Sequence, residues 1–401
     1  IRIRLVRRKF VRIEDEAAAA APIDVAPSPP VLIAPLPDNL WSRTMADPSA
    51  VAHVIVAKYD DVLPLHRQER ISHRSGFILP RSTQCGWLGA GFDVCYRVVD
   101  AMFAEAKARA FCIATDATSA PVRAPGACAN WTIFVFIADR DHVVFRYAHE
   151  NTSAVVSTLL RGFRGHLLAD AAPVYDVLYR GGNVIEHVCW FHCRRYFFRA
   201  LESEREPAME ALAIIGKLFE ADRGCRDIEM PARTEARAAA TRPVLALFDK
   251  WINSHRDRVD PGGRLDKAIG YYDNQREALH AFLVDGRIRL DNNISEGELR
   301  NVVLGINNWT FFANETGLKW YTTFRSLIAS CRLHGLNPQD YLEQLLRLGP
   351  HWPVTRMIEL APKHWASTIA GLDARHRAIL ARPWEPAEAV TTAVSESVRA
   401  A

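Results

Sequence analysis

Nowhere in the 401 residues does an uninterrupted apolar run approach the length of about 18 needed to cross a bilayer. The alanine-rich stretch near the start is broken by Asp24 and several prolines, and no apolar signal core precedes a cleavage site. The reading is a soluble protein with no membrane partner. A charge excess is also lacking: 50 basic against 46 acidic side chains leave only +4, so nucleic-acid affinity has to be local rather than a property of the whole surface. The eight cysteines, at 85, 95, 112, 128, 189, 193, 225 and 331, include no CxxC pair and no dense even spacing. That excludes a secreted disulfide scaffold and points to a reducing cytoplasm. The chain starts at Ile1 rather than methionine, which suggests a missing N-terminal portion.

What is present is ordinary globular composition, 49% hydrophobic and 24% charged, long enough for two or three domains. Residues 1–13 open with IRIRLVRRKFVR, a basic segment whose partial alternation suits a strand with one cationic face. Residues 14–48 mix acidic residues, an alanine run and prolines, and read as a linker. From 49 to 110 the pattern is helical, with Pro80 in the first turn of a long helix. Helix, helix, turn, helix is the order of a helix-turn-helix, in which Arg81, Ser82, Thr83 and Gln84 would meet DNA; a plain three-helix bundle is the competing reading.

Between 111 and 194 the period changes. FCIATDA, WTIFVFIAD and HVVFRYAH read as three antiparallel strands, followed by a helix capped by Asn151 or Thr152, the strand GHLLAD, a short helix and the strand NVIEHVCW. The expected fold class is α/β, a mixed sheet of ribonuclease H-like layout. Residues 195–285 are helical and read as an insertion. The segment 286–375 returns to complete the core, with Gly335, Asn337 and Pro338 marking a helix junction, and 376–401 reads as a flexible tail.

Asp116 and Asp170 each end an apolar strand. If those strands are neighbours, the two carboxylates converge, and like charges about 4 Å apart repel by roughly 4 kcal/mol at an effective dielectric near 20. A divalent cation answers that repulsion, and hard oxygen donors select Mg²⁺, with Mn²⁺ as a substitute. Glu296 is a candidate third ligand, although its spacing from Asn293 also fits a capping box. Glu298, on another face, is the weaker substitute. His187, Cys189, His192 and Cys193 are dense in soft ligands but match no structural zinc spacing, so no zinc is expected. Arg194 and Arg195 beside aromatics suit a phosphate backbone, as does Arg300. Trp309 reads either as a base-stacking platform or as core.

With these residues in view, the sequence resembles the insertion sequence 66 family of bacterial transposases. The similarity is carried by AKYDDVLPLHRQERISHRSGFILPRST, GHLLADAAPVYD, VCWFHCRRYFF, LDKAIGYYDNQREALHAFLVDGRIRLDNNISEGELR, LGINNWTFFANETG and SLIASCRLHGLNPQDYLEQLL. The resemblance implies an Asp-Asp-Glu triad of Asp116, Asp170 and Glu296 that binds metal. It implies a cysteine-two-residues-histidine signature at Cys189 and His192, a helical insertion between Asp170 and Glu296, and a DNA-binding region over 49–110. DNA is then the partner, both element ends and target, with a homo-oligomer and accessory proteins of the same element expected on it in a bacterial nucleoid.

Departures from the family pattern stand out. The basic strand runs into VRIEDE where the family has its last zinc cysteines, so the 1–13 strand is read as the remnant of a zinc-binding module. Ala117 and Thr118 replace Glu-Thr after the first aspartate, Gly297 replaces an arginine, and Ile306 and Asn307 stand where basic residues are common. The expected function is metal-dependent phosphodiester hydrolysis at element ends followed by strand transfer. The alternatives are a catalytically impaired DNA-binding remnant that occupies those ends and, more distantly, a structure-specific nuclease.

Overall fold

The computed structural model describes residues 9–11, 31–33 and 46–381. The chain divides into two units, residues 1–47 and 48–401. In the first, Lys9–Val11 (β1) pairs antiparallel with Val31–Ile33 (β2). The second strand lies within the segment read as a linker: Val-Leu-Ile has strong strand preference and finds a partner despite its proline-rich flanks. The remaining parts of the basic strand and linker, and the tail beyond 381, lie outside the described residues.

In the second unit the helical run comprises Pro48–Tyr59 (α1), Leu65–Arg74 (α2) and Arg81–Arg109 (α3). Three strands follow, Cys112–Arg123 (β3), Cys128–Ala138 (β4) and His142–Ala148 (β5). Ser153–Leu159 (α4) is capped by the Thr152 hydroxyl, Gly165–Ala169 forms β6, Asp176–Tyr179 α5 and Val184–Val188 β7. The sheet order is β5-β4-β3-β6-β7, with β3, β4 and β5 antiparallel and β6 and β7 parallel to β3. This is the expected mixed sheet, with the first and fourth sheet strands as neighbours. β3 runs six residues past the expected Ala117, through Pro121 to Arg123; β6 has already ended there and a single bridge of Val122 with Phe312 follows, so a proline lacking N–H is tolerated on that edge.

Gly165 is required where β6 starts: at φ +145°, an added Cβ would lie 2.7 Å from the Phe111 carbonyl oxygen. The two strands therefore begin side by side, in the register Cys112 with His166, Ile113 with Leu167 and Ala114 with Leu168.

Trp190–Ala200 (α6), Arg205–Arg223 (α7), Ala232–His255 (α8) and Arg264–His280 (α9) form the helical block. Its core of Trp190, Phe197, Phe248, Trp251 and Tyr272 continues into Val188 on β7 and into Ile288 and Leu290, so the block is fused to the sheet and not a separate body. Asn293–Trp309 (α10), Glu315–Leu333 (α11), Pro338–Leu348 (α12), Trp365–Ala370 (α13) and Ala374–Leu380 (α14) complete the unit. The expected junction at 335–338 is present, with Gly335 at φ +66° and the Asn337 side chain accepting from Gln339 and Asp340 N–H. α14 carries ordered helix into the expected tail. α11 seals the β5 edge, because Val143 and Phe145 N–H donate to the hydroxyls of Ser330 and Ser326. Both faces are covered, which is why Ile133–Ala138 of β4 are buried without alternation.

α3 is part of this core rather than of a detached DNA-binding domain. Its Leu88, Cys95, Val98, Val99, Met102 and Phe103 are buried. Among the described residues, no helix is long and apolar enough to cross a membrane.

Candidate active site

The β3–β6 register brings two of the predicted acids to one edge of the sheet. Asp116 and Asp170 each stand two residues beyond the Ala114–Leu168 pair. The Asp116 carboxylate accepts from the following Ala117 N–H at 2.7 Å. Asp170 is the first residue after β6 and accepts from Ala172 N–H at 3.2 Å, while Ala171 at φ +62° turns the chain sharply away. Burial pushes the Asp116 carboxyl up to about 6. The Ala117 N–H opposes that rise, the negative charges of Asp170 and Glu296 add to it, and Arg195 offsets part of it. The three acids therefore share one electrostatic neighbourhood.

Glu296 arrives from α10, and the capping-box alternative is not realised. Asn292 is the cap residue, Asn293 is already helical, and the Glu296 side chain points elsewhere. Glu296 Oε1 lies 3.8 Å from His192 Nε2 and 3.5 Å from Arg195 Nη2, both on α6. It is buried and has no hydrogen-bond partner among the described residues. Burial pulls the His192 imidazole down, the carboxylates of Asp170 and Glu296 partly restore it, and Arg195 lowers it further.

Asn292 and Thr115, which sequence reasoning missed, hold this arrangement. Asn292 Nδ2 donates to the Thr115 carbonyl at 2.8 Å, and its backbone N–H donates to Cys189 Sγ at 3.2 Å. Trp190 N–H also donates to Leu290 O. The start of α10 is thus tied to β3 on one side and to the β7–α6 junction on the other. The signal in the sequence was the doubled asparagine of DNNISE, whose cap role falls one position earlier than the spacing to Glu296 suggests.

The soft-ligand cluster does not converge. His187 Nε2 bonds His166 Nδ1 at 2.6 Å, Cys189 faces Asn292, Cys193 is buried in the helical core, and His192 alone faces the acids. Glu298 is excluded as a substitute for Glu296, since its carboxylate pairs with the buried Arg325 at 2.6 Å. Arg195 and Arg300 are exposed, and Arg300 lies one turn beyond Glu296 on the same face of α10. Arg194 is half-buried, its guanidinium 5.8 Å from the Phe191 ring.

One expected DNA contact lies in the interior. Gln84 is fully buried, its Nε2 donating to Leu79 O at 3.0 Å and Leu65 O at 3.4 Å, so it fastens α3 to the chain before it and reaches no groove. Trp309, half-buried, packs edge-on to Phe312 and Tyr321, under the Lys58 ammonium at 4.8 Å, as the packing alternative expects. Ser82 and Thr83 are exposed, whereas Arg81 pairs with Glu69 at 3.1 Å.

Among the described residues, the three potential ligands whose donor atoms all lie within 4.8 Å of one another are Glu105, His142 and His364; the acids of β3, β6 and α10 are a looser group. Glu105 accepts from His142 at 2.7 Å and His364 at 3.0 Å, with Arg109 at 3.6 Å and Lys363 at 3.9 Å. Four donors already surround that carboxylate, which clamps the segment around 364 to α3.

The family model described as "Transposase IS66 family" matches residues 43–320, and that of the "IS66 C-terminal element" matches 326–363. Two uncharacterized proteins of Sinorhizobium fredii are similar. One, y4qI, is 29% identical over 358 residues, covering 84% of this chain and 66% of the relative. The other, y4hP, is 25% identical over 398 residues, covering 92% and 69%. The chain spans about two thirds of the length of these relatives. With the first match covering well over half of the sequence, from α1 through α10, the chain belongs to the IS66 family of transposases.

Proposed function

We propose that this chain is an insertion-element transposase of Asp-Asp-Glu type, built on a ribonuclease H-like sheet, that hydrolyses a phosphodiester at the element end and joins the freed end to target DNA. The observation that carries the reading is the convergence of Asp116, Asp170 and Glu296 from β3, β6 and α10, with Asp116 raised to about 6 by burial and by its two acidic neighbours.

The donor set fits a hard divalent cation. All three groups are carboxylates, and Glu296 Oε1 is buried without a hydrogen-bond partner, so its lone pairs are free. Mg²⁺, or Mn²⁺, held by Asp116, Asp170 and Glu296 would supply charge neutralisation and Lewis-acid activation for in-line displacement at phosphorus. The chain's own residues do the rest. Arg195 and Arg300 offer exposed guanidinium groups to DNA phosphates beside the acids. Arg195 and His192 also border the Glu296 carboxylate, at 3.5 and 3.8 Å. In the first step a water oxygen attacks phosphorus and the P–O3′ bond breaks, leaving a 3′-hydroxyl; in the second that hydroxyl attacks a target phosphodiester, its proton is lost to solvent, and the target P–O3′ bond breaks to release a target 3′-hydroxyl. Residues 49–110 and the helical block act in this reading as DNA-gripping elements around the core.

A second reading, a cleavage-impaired protein that occupies element ends, is favoured by one feature. Gly297 follows Glu296 with open space around its Cα, where an arginine would fit and add positive charge beside the site.

Nicking of labelled element-end DNA in Mg²⁺ or Mn²⁺ tests both. Cleavage by the native chain that is lost in Asp116→Asn and Glu296→Gln supports the transposase. Cleavage that survives in both variants removes the assignment, and binding without cleavage selects the second reading.

A further inference from the structure

α2, a ten-residue helix, buries a single residue, Gln68. Gln68 anchors it, donating Nε2 to Leu63 O at 3.0 Å. On the outer side Arg67, Arg70 and Arg74 are exposed at spacings of three and four residues, which aligns them on one helical face. Among the described residues none of the three has a carboxylate partner, unlike Arg81, whose partner is Glu69. Residues 65–81 carry four arginines and one acid in a chain whose total net charge is +4. His66 and His73 are also exposed, and Phe77 and Ile78 follow in the next loop at 45% and 75% exposure.

Helix rise puts the three guanidinium stems about 4.5 and 6 Å apart along the axis. Duplex DNA carries a phosphate every 3.4 Å or so of axis on each strand, so a helix lying against the backbone meets successive charges. We propose that the outer face of α2, through Arg67, Arg70 and Arg74, is the phosphate-gripping surface for duplex DNA, taking the role that the sequence pattern assigned to the front of α3. The inference rests on the transposase reading for the identity of its partner. The front of α3 is poorly suited to the task, since Gln84 is buried and Arg81 is already paired. An exposed Phe77–Ile78 pair beside the cationic face is what a merely solvated helix would not need, and apolar side chains next to basic ones are a recurring feature of DNA-bending proteins.

The test is the salt dependence of binding of the full chain to a labelled duplex, by fluorescence anisotropy between about 50 and 200 mM salt. Each lost phosphate contact lowers the slope of log K against log salt by about 0.9, so Arg67→Ala/Arg70→Ala/Arg74→Ala is expected to lower it by about 2–3. The matching triple lysine variant should keep most of the slope, and Ser82→Ala/Thr83→Ala should leave it unchanged. The thermal midpoint should be nearly the same in all variants, because the three arginines are exposed and make no ion pair among the described residues. A triple alanine variant with the native slope overturns the proposal. So does one that alters self-association in sedimentation while keeping that slope, which would make α2 a contact for a second copy. If the native chain binds no duplex at any salt, the transposase reading fails with it; if it binds and cuts while the triple alanine variant keeps its slope, only the assignment of α2 fails.

Discussion

The Asn292 side chain donates to the Thr115 carbonyl across 2.8 Å, bridging 177 positions of sequence. Thr115 precedes Asp116 on β3, and Asn292 caps the helix on which Glu296 sits one turn later. Both partners are buried. Asn292→Ala is expected to leave the Thr115 carbonyl unpaired, costing about 1–3 kcal/mol of stability. It should also let α10 drift relative to β3, and a displacement near 1 Å lowers the rate of a positioned reaction on the order of 100-fold. Single-turnover cleavage and DNA affinity should therefore separate, the first falling and the second unchanged. A variant that melts earlier but cuts at the native rate would leave Asn292 with a structural role only.

Gln84 provides a converse case. Its amide donates to two carbonyls, Leu79 O and Leu65 O, from a fully buried position at the start of α3. Gln84→Ala is expected to lower stability by about 1–3 kcal/mol. DNA affinity, measured below the melting transition, should not change. A loss of sequence-specific binding at unchanged stability would restore the recognition-helix reading.

The sheet was legible because its signal is local: β-rich runs of seven to nine residues with a DRD turn lead to β3, β4 and β5, and the two shorter strands follow in the expected order. The two aspartates were legible for the same reason, since each ends an apolar run whose register with its neighbour follows from where the strands start. Glu296 was ambiguous because a capping box and a ligand use the same residue types at the same spacing; only the position of Asn292 separates them. Gln84 was read as a DNA contact because burial is a tertiary property. A glutamine in the first turn of a helix looks exposed until the preceding segment folds over it. The setting of 49–110 is tertiary in the same way, as the apolar stripe of α3 packs on α11, α1 and β5.

His187 offers a pH test away from the acids. It is buried, bonded to His166, and burial together with the nearby His166 pulls its imidazole from 6.5 down to about 4. Between those values the unfolded chain binds the proton and the folded chain does not. Its contribution is complete above the unfolded value and is lost as pH falls through the folded one. The full loss is about 3 kcal/mol. Denaturant midpoints should therefore fall between pH 7 and about 4, and His187→Gln should fall less steeply. Part of the slope will remain, since His142 and His166 are lowered in the same direction by burial. Identical slopes in the two proteins would rule out His187 as the source.

Glu296 and Glu298 are two residues apart on α10 and face different surroundings, so their substitutions should separate chemistry from stability. Glu298 pairs at 2.6 Å with Arg325, a guanidinium 1% exposed that also contacts Asp60 at 3.2 Å and the Tyr59 carbonyl at 3.3 Å. Removing one partner of a buried pair costs about 3–5 kcal/mol. Asp60 remains to compensate, so Glu298→Ala should fall at the lower end of that range. Glu296 borders Arg195 and His192 at longer distances, and its Oε1 makes no hydrogen bond. Glu296→Gln should leave the melting temperature within a degree or so of native, because an isosteric amide gives up no hydrogen bond there. In cleavage the order reverses. Glu296→Gln should be inactive, and Glu298→Ala, assayed well below its melting point, should cut near the native rate. If Glu298→Ala abolished cutting while remaining folded, the third acid of the site would have to be sought beside Arg325 instead.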